Sequence, residues 1–340
     1  MATQGSCRWP SKYYGERLTR RVLLASAFAG LLPAQKAEVS SSDLSLVDDV
    51  AVPNELFFVR EHFPRPDDLS AATWKLSAAG RDYSMEEITA KPGKILPATL
   101  ECAENPTGGG LVSHADWRGV PLASLLPPDT KALYVKLISA DGYSRNIPIA
   151  KALHPDTIVA YGMNGEKLPL NHGFPVRAIV PGWYGMDSVK WLRGIELLPN
   201  EAPPQDYVRQ VKSFFGVRAA GPVTAMQVKS VFTRPQEGAI LMKRRFTVRG
   251  VAWAGENRVS QVQVSVDGAR TWLPATLAGG PAAYAWTPWS FEWKIPRAGD
   301  YSLTVRAKDD KGREQPPERA AERTDSYEWN GWQTLKVTAA

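Results

Sequence analysis

Apolar and polar residues alternate along the last third of the chain in a way the middle does not share. Phe246-Thr247-Val248-Arg249-Gly250-Val251-Ala252-Trp253 and Val259-Ser260-Gln261-Val262-Gln263-Val264-Ser265-Val266 both run with period two. That spacing sends successive side chains to opposite faces of a strand. An Asp267-Gly268 turn follows the second run, before Thr271-Trp272, and Ser290–Ile295, Tyr301–Lys308 and Trp332–Val337 continue the pattern. Short alternating segments separated by turns predict an all-β sandwich over residues 215–340. Seven of the twelve tryptophans fall here, which predicts a packed core between two sheets.

The stretch from about Val52 to Leu198 reads differently. Short apolar runs (Ala132–Ser139, Arg177–Val180) are mixed with a helical pattern at Ile149–Leu153. Asp141-Gly142, Asn164-Gly165 and Pro181-Gly182 interrupt it at close intervals. Frequent turn dipeptides predict a mixed α+β domain over residues 50–205 without long helices. The proline-rich passage Pro199–Gln205 marks the boundary with the sandwich, and Ser40–Asp49, rich in Ser and Asp, reads as an exposed connection.

The first 37 residues change the charge argument. Arg20-Arg21 precede an apolar run from Val22 to Leu32, then Pro33 and a small-residue region at Ala37. A basic start, a short apolar stretch and a small-residue exit predict an export signal of the twin-arginine type over residues 1–37, and hence a periplasmic or otherwise exported protein. The run is shorter than the roughly 20 residues a bilayer span requires, and no later segment qualifies, so no membrane span is expected in the mature chain. This segment holds six basic residues against one acidic, which accounts for +5 of the formal +6. The remainder is near +1 and has no Lys/Arg stripe, so nucleic acid is not an expected partner.

Two cysteines are present, Cys7 and Cys102, and Cys7 lies in the expected signal. A single remaining cysteine in an exported chain is an inert buried group, a reactive thiol or a metal ligand. The absence of a C-x-x-C-H string argues against haem in this chain, and one thiol is too few for an iron–sulfur cluster.

Four strings in the first domain carry candidate chemistry: Phe57–Pro64 (FFVREHFP), Glu101–Asn105 (ECAEN), Asn171–Arg177 (NHGFPVR) and Pro181–Leu192. Each sets a cationic or hydrogen-bonding side chain among glycines, prolines and aromatics, as a bulky polar ligand would need. Together they resemble the sulfite oxidase family of molybdenum enzymes. The pattern F-[FY]-x-R-x-H-x-P matches at Phe57–Pro64, and C-x-G-N is met at Cys102–Asn105 in all but its glycine. H-G-F-P-V-R matches at His172–Arg177 and S-V-K-W-L at Ser188–Leu192. The alternating half resembles the family's dimerisation domain, through Gly250-x-Ala252-Trp253, Val264-Ser265-x-Asp267-Gly268 and Thr271-Trp272.

The resemblance implies a mixed α+β molybdopterin-binding domain followed by an immunoglobulin-like β-sandwich, and a homodimer. It implies Cys102 as the metal ligand, with Phe58, His62, Asp141, His172, Arg177, Ser188 and Lys190 at the cofactor. A thiolate suits a redox-active metal, arginine's planar fork suits a phosphate, and lysine supplies a point charge. Arg60 and Tyr207 are implied at the substrate. The implied reaction oxidises sulfite to sulfate and passes electrons singly to a separate acceptor, a c-type cytochrome. A sulfane-sulfur dehydrogenase or an S- or N-oxide reductase on the same cofactor is the alternative enzyme. A non-catalytic interaction protein on this scaffold is the alternative of another class.

The departures from the family pattern lie beside the substrate. Glu104 replaces the glycine of C-x-G-N, Pro106-Thr107-Gly108-Gly109-Gly110 replaces a longer loop bearing an arginine and a tryptophan, and Asn171 stands where aspartate is usual. Because a buried dianion with too few counter-charges is costly, three outcomes stand open: a replacement cation from Arg118, Arg145 or His114, a cation donated by the dimer partner, or a less charged substrate such as an organic sulfoxide or a sulfane group.

Overall fold

A computed structural model describes residues 38–47, 51–214, 216–280 and 282–340. The expected signal at 1–37 lies outside the described residues. The first half is built on two five-stranded sheets. One runs in the order Glu166–Lys167, Ile158–Met163, Val112–Pro121, Lys94–Glu101, with Arg177–Ile179 added against Ile158–Met163. The other runs Arg81–Ser84, Lys75–Ala78, Leu192–Leu198, Tyr134–Ser139, Ser144–Pro148, antiparallel except where Leu192–Leu198 lies parallel to Lys75–Ala78. The apolar run expected at Ala132–Ser139 is the strand Tyr134–Ser139, whose side chains alternate between half-buried and buried. One face thus covers a core of Leu76, Ile88, Val120, Leu137, Val159, Val176 and Leu192.

The α+β expectation is too helical. Among the described residues only Met85–Thr89 and Ile149–Ala152 are α-helical. Turn signals leave segments too short for a helix to recover its nucleation cost without tertiary support. Ile149–Leu153 yields a single turn, closed at Leu153 ahead of Pro155. Met85–Thr89 depends on a capping box, in which Glu87 N donates to Ser84 Oγ at 3.2 Å and Ser84 N to Glu87 Oε2 at 2.8 Å.

The second half forms two sheets around one core. Lys229–Arg234, Arg245–Trp253, Thr287–Lys294 and Thr276–Leu277 make one sheet. Ile240–Leu241, Gln333–Ala339, Gly299–Asp309, Val259–Ser265 and Leu273–Pro274 make the other. Each alternating run read from sequence is a strand, displaced by at most three residues at either end. Val248, Val262, Val264, Trp289, Trp293, Leu303 and Val337 meet between the sheets. Trp253 and Trp286 do not join them. They pack with Phe57, Leu96, Leu100 and Trp117 in a core that includes Val223, Met226, Val231 and Val251. This shared core fuses the sandwich to the first body, where a polar contact would leave the two free to move.

Within the described part of the Ser40–Asp49 connection, residues 40–47, some positions are buried and paired where the composition suggests only exposure. Val39–Ser40 pairs with Val59–Arg60, Leu44 is buried, and Ser42 N donates to Gly110 O at 2.8 Å. A Cβ on Gly110 would lie 2.2 Å from the Ser42 carbonyl oxygen, so only glycine permits that approach. The glycine stretch after Asn105 is therefore folded against the Ser42 strap and the sandwich, where Thr107 Oγ1 donates to the Trp329 and Gly331 carbonyls.

Candidate active site

All ten residues assigned to the site line one cleft. Phe58, Arg60 and His62 come from the chain around the Val59–Arg60 strand, Cys102 from the loop after Lys94–Glu101, and Asp141 from the turn after Tyr134–Ser139. His172, Arg177, Ser188 and Lys190 come from the two glycine-bearing loops, and Tyr207 from the segment beyond the proline-rich passage. Glu61, Glu104, Tyr143, Met186 and Trp191 line it too.

The cysteine loop is held by its neighbours. Cys102 N donates to Leu111 O and Asn105 N to Cys102 O, both at 2.9 Å. The buried Asn105 side chain accepts from Leu111 N at 3.0 Å and donates to Glu101 Oε1 at 3.1 Å, which gives the C-x-x-N spacing its mechanical reason. Below the loop, Lys229 of the sandwich donates to Glu101 Oε1 at 2.5 Å and to Asn105 O at 3.2 Å. Trp253 Nε1 donates to Glu101 Oε2 at 2.9 Å. The Lys229 and Glu101 side chains are 1% and 0% exposed. Sequence reasoning passed over this pair. Its signal was a lysine opening a strand, Lys229–Arg234, whose first five residues are all buried.

Burial raises the Cys102 thiol above its ordinary pKa, an effect opposed by the Glu104 backbone N–H that donates to the sulfur. A soft cation at the sulfur would reverse that balance. Among the described residues no group of three or more His, Cys, Asp or Glu side chains is placed to hold a metal ion. A metal at Cys102 would thus take one thiolate from this cleft and bring its other ligands with it.

The deep end is cationic. Arg177, buried, donates to the His172 and Ser188 carbonyls at 3.0 and 2.8 Å and lies over the Trp117 ring. Among the described residues its Nε has no partner and no carboxylate faces it. Burial alone pulls the guanidinium down to about 9. Lys190 donates to Glu61 Oε1 at 3.1 Å and to Asn171 O at 2.9 Å, and burial lowers it to about 8 against the pull of Glu61. His172 is lowered by burial to about 4 and is neutral, its Nε2–H donating to Asn54 O at 2.9 Å. Gly173 ends the short helix Leu170–His172 at φ +106°. A Cβ there would meet Arg177 Cβ at 3.0 Å and Lys190 Cα at 3.3 Å, so glycine lets the loop close on both cations. A molybdopterin fits this end: its terminal phosphate matches the unpaired Arg177 edge and Lys190, and its metal matches Cys102.

Ser188 and Asp141 face the cleft while serving the backbone. Ser188 Oγ accepts from Val180 N at 3.0 Å, and Asp141 Oδ1 accepts from Tyr143 N at 2.8 Å. Phe58 stacks on Phe57, whose edge meets both Trp117 and His172.

The mouth differs in charge. Arg60 donates to Glu104 Oε2 at 3.0 Å. His62 stacks on Tyr143 and hydrogen-bonds the Tyr207 hydroxyl. Burial, then Arg60, lowers its pKa. Burial holds the Tyr207 phenol well above its ordinary range. Tyr327, from the sandwich, packs on Tyr207, and Glu328 N donates to Ala103 O at 2.8 Å. The sandwich, which showed no chemistry in the sequence, supplies part of the rim.

None of the three candidate replacement cations lines the cleft. Arg145 is consumed by Asp187 at 2.6 Å, Asp206 at 2.5 Å and the Val223 carbonyl at 3.3 Å. Arg118 lies over the Tyr161 ring. His114 is buried against Trp286, bonded to Thr99, and lowered by burial to about 4.

Comparison with known proteins agrees with this geometry. Residues 62–206 match the oxidoreductase molybdopterin-binding domain and residues 221–339 the Mo-co oxidoreductase dimerisation domain. The chain is 33% identical over 318 residues to sulfite oxidase of Gallus gallus, covering 80% of this chain and 69% of that protein. It is 31% identical to the mitochondrial sulfite oxidase of Homo sapiens, covering 80% and 58%. Against nitrate reductase [NADH] 1 of Nicotiana tabacum the identity is 30%, covering 78% and 36%. Among solved structures, the sulfane dehydrogenase SoxCD from Paracoccus pantotrophus aligns with a TM-score of 0.80 at 25% identity, covering 92% of this chain and 86% of that one. An identity of 33% sustained over more than two thirds of the chicken protein, with both domain models in order, places this chain in the sulfite oxidase family of molybdopterin-dependent oxidoreductases.

Proposed function

We propose that this oxidoreductase oxidises a small sulfur compound, sulfite to sulfate in the leading reading, and yields its electrons to a separate acceptor such as a c-type cytochrome. The observation that carries the cofactor half is Arg177: a buried cation without a carboxylate, its Nε unpartnered, in the cleft that Cys102 lines. Molybdopterin supplies the oxygen-atom and electron chemistry. The chain's residues do the rest. Arg177 and Lys190 hold the phosphate, with His172, Phe58, Asp141 and Ser188 along the pterin. Cys102 ligates the metal, His62 and Tyr207 set the hydrogen bonding at the mouth, and Arg60 meets the substrate. The dimerisation-domain match supports a homodimer through an immunoglobulin-like sandwich, and the twin-arginine pattern supports export to the periplasm.

Oxidation of sulfane sulfur is the second reading, favoured by the alignment with the sulfane dehydrogenase over nearly the whole chain. Purified protein is expected to contain about one molybdenum per chain, and to reduce ferricyanide or cytochrome c when sulfite or a sulfane is added. Absence of molybdenum after expression with molybdate would leave an inert scaffold. Molybdenum without either oxidation, but with oxidation of a reduced viologen by S- or N-oxides, would reverse the direction.

A further inference from the structure

The Arg60–Glu104 pair bears on what this cleft accepts. Arg60 faces the cleft beside Cys102, and its guanidinium is bonded to Glu104 Oε2 at 3.0 Å, with the two side chains 34% and 38% exposed. Among the described residues the remaining charged group at the mouth is a carboxylate, Asp206, which lines the rim beside Arg60, His62 and Tyr207. His62 is pushed toward its neutral form by burial and by Arg60. The Arg145 guanidinium is enclosed by Asp187 and Asp206 and adds no free positive charge. The loop that could have carried another arginine is folded away against the Ser42 strap. Among the described residues the mouth thus has no second cation, and Arg60 already has a counter-charge. Around the rim stand Phe63, Tyr143, Tyr207 and Tyr327, which offer rings to an organic substituent.

We propose that Glu104 is a specificity-determining residue: by neutralising Arg60 it turns dianions away and selects an organosulfur substrate bearing at most one negative charge, its carbon part resting against Tyr143, Tyr207 and Tyr327. This rests on the oxidoreductase reading and, because sulfite and sulfate are dianions, favours its second form, oxidation of sulfane-type or other organic sulfur compounds, over the first. The physical basis is simple. A dianion entering the mouth must shed water and then lies within a few ångströms of the Glu104 carboxylate, where partial desolvation leaves the repulsion poorly screened. A monoanion meets half that repulsion, and an uncharged sulfur centre none.

Two unreactive probes read the charge preference directly: sulfate, a dianion, and methanesulfonate, a monoanion with a methyl group. Binding of each to the cofactor-loaded protein is measured by titration calorimetry for the wild type and for Glu104→Gln and Glu104→Asp, with molybdenum content determined on the same samples. The wild type is expected to bind methanesulfonate at least as tightly as sulfate. Glu104→Gln is expected to tighten sulfate by about tenfold or more while moving methanesulfonate by no more than about threefold. Glu104→Asp keeps the charge and should keep the wild-type ratio. Sulfate affinity unchanged in Glu104→Gln, or a wild type that already prefers sulfate, overturns the proposal. Because the ratio is read at Arg60 and not at the metal, its failure is distinct from a failure of the oxidoreductase reading, which would appear as missing molybdenum with the ratio intact.

Discussion

The two ends of the cleft place positive charge in opposite ways. At the deep end Arg177 is buried with only carbonyl partners, and Lys190 shares the region with Glu61. At the mouth Arg60 is half exposed and bonded to Glu104. An uncompensated buried cation is expensive, and proteins keep one where a ligand supplies the missing anion. An exposed, paired cation costs little and attracts little. The deep end is thus shaped for a permanent anionic guest and the mouth for a transient one of low charge.

Substitution at the deep end should break this contrast most visibly. Arg177→Met is expected to lower the molybdenum content of purified protein at least about tenfold, because bidentate phosphate recognition has no substitute in the cleft. The cofactor-free fold should lose no more than about 2 kcal/mol, since removing the unpaired charge offsets the lost carbonyl hydrogen bonds. Arg60→Gln should leave molybdenum content unchanged. Equal loss of metal from both variants, measured by elemental analysis beside urea unfolding, would mean that the two ends are not distinct.

The floor beneath both ends is the next test. Lys229→Met leaves Glu101 charged, buried and short of its cation, which should cost about 3–5 kcal/mol. Lys229→Met combined with Glu101→Gln should recover part of that loss in denaturant midpoints. Cys102 sits directly above the pair, so the single variant should also alter the electron paramagnetic resonance signal of the loaded protein. Full stability with an altered signal would make the pair a positioning device and not a structural one.

What the sequence made legible follows the range of the contacts. His172 to Arg177, Cys102 to Asn105 and Ser188 to Lys190 lie within single stretches of chain, and each stretch brings side chains to the cleft. The alternating strands of the sandwich were equally plain, because period two needs no information from elsewhere. The partners of these residues were not. Glu61 meets Lys190 across 129 positions and Lys229 meets Glu101 across 128. Glu104 stood out as a departure from the family string, but its partner Arg60 lies 44 residues upstream. Arg145 was a plausible pocket cation until Asp187 and Asp206 were seen to enclose it. The tryptophans misled in one respect: Trp253 and Trp286 seal the domain junction, since composition cannot say which core a large side chain joins.

The depressed pKa values of the deep end predict a pH signature for the cofactor-free protein. Lys190 falls from 10.5 to about 8 on folding. Above pH 8 the unfolded chain therefore holds protons that the fold has released, and stability should rise with pH. Between pH 8 and 9 the gain is up to about 1 kcal/mol. His172 falls from 6.5 to about 4, so its contribution is lost as pH drops through that window. Urea unfolding of Lys190→Met should lose the part of the alkaline rise that begins near pH 8, retain the part above about pH 9 that Arg177 contributes, and keep the acid loss. At the mouth no such rise is expected, and Arg60→Gln should follow the wild-type profile.

The smallest effect concerns the border between the two ends. His62 was assigned to the cofactor by resemblance, yet its ring is stacked on Tyr143 and bonded to the hydroxyl of Tyr207, both at the rim. Tyr207 reaches it with a left-handed backbone, φ +51°, a conformation that costs a non-glycine residue on the order of 1 kcal/mol. Tyr207→Phe keeps the ring and the packing on Tyr327 and removes only the hydroxyl. Loss of that hydrogen bond should cost about 0.5–1.5 kcal/mol, a fall in kcat/KM of roughly tenfold at most, with molybdenum content unchanged. If His62 works with the mouth, His62→Asn should resemble Tyr207→Phe in retaining metal while losing turnover. If it works with the deep end, His62→Asn should lose metal as Arg177→Met does, and the border of the cationic end would then move outward to include it.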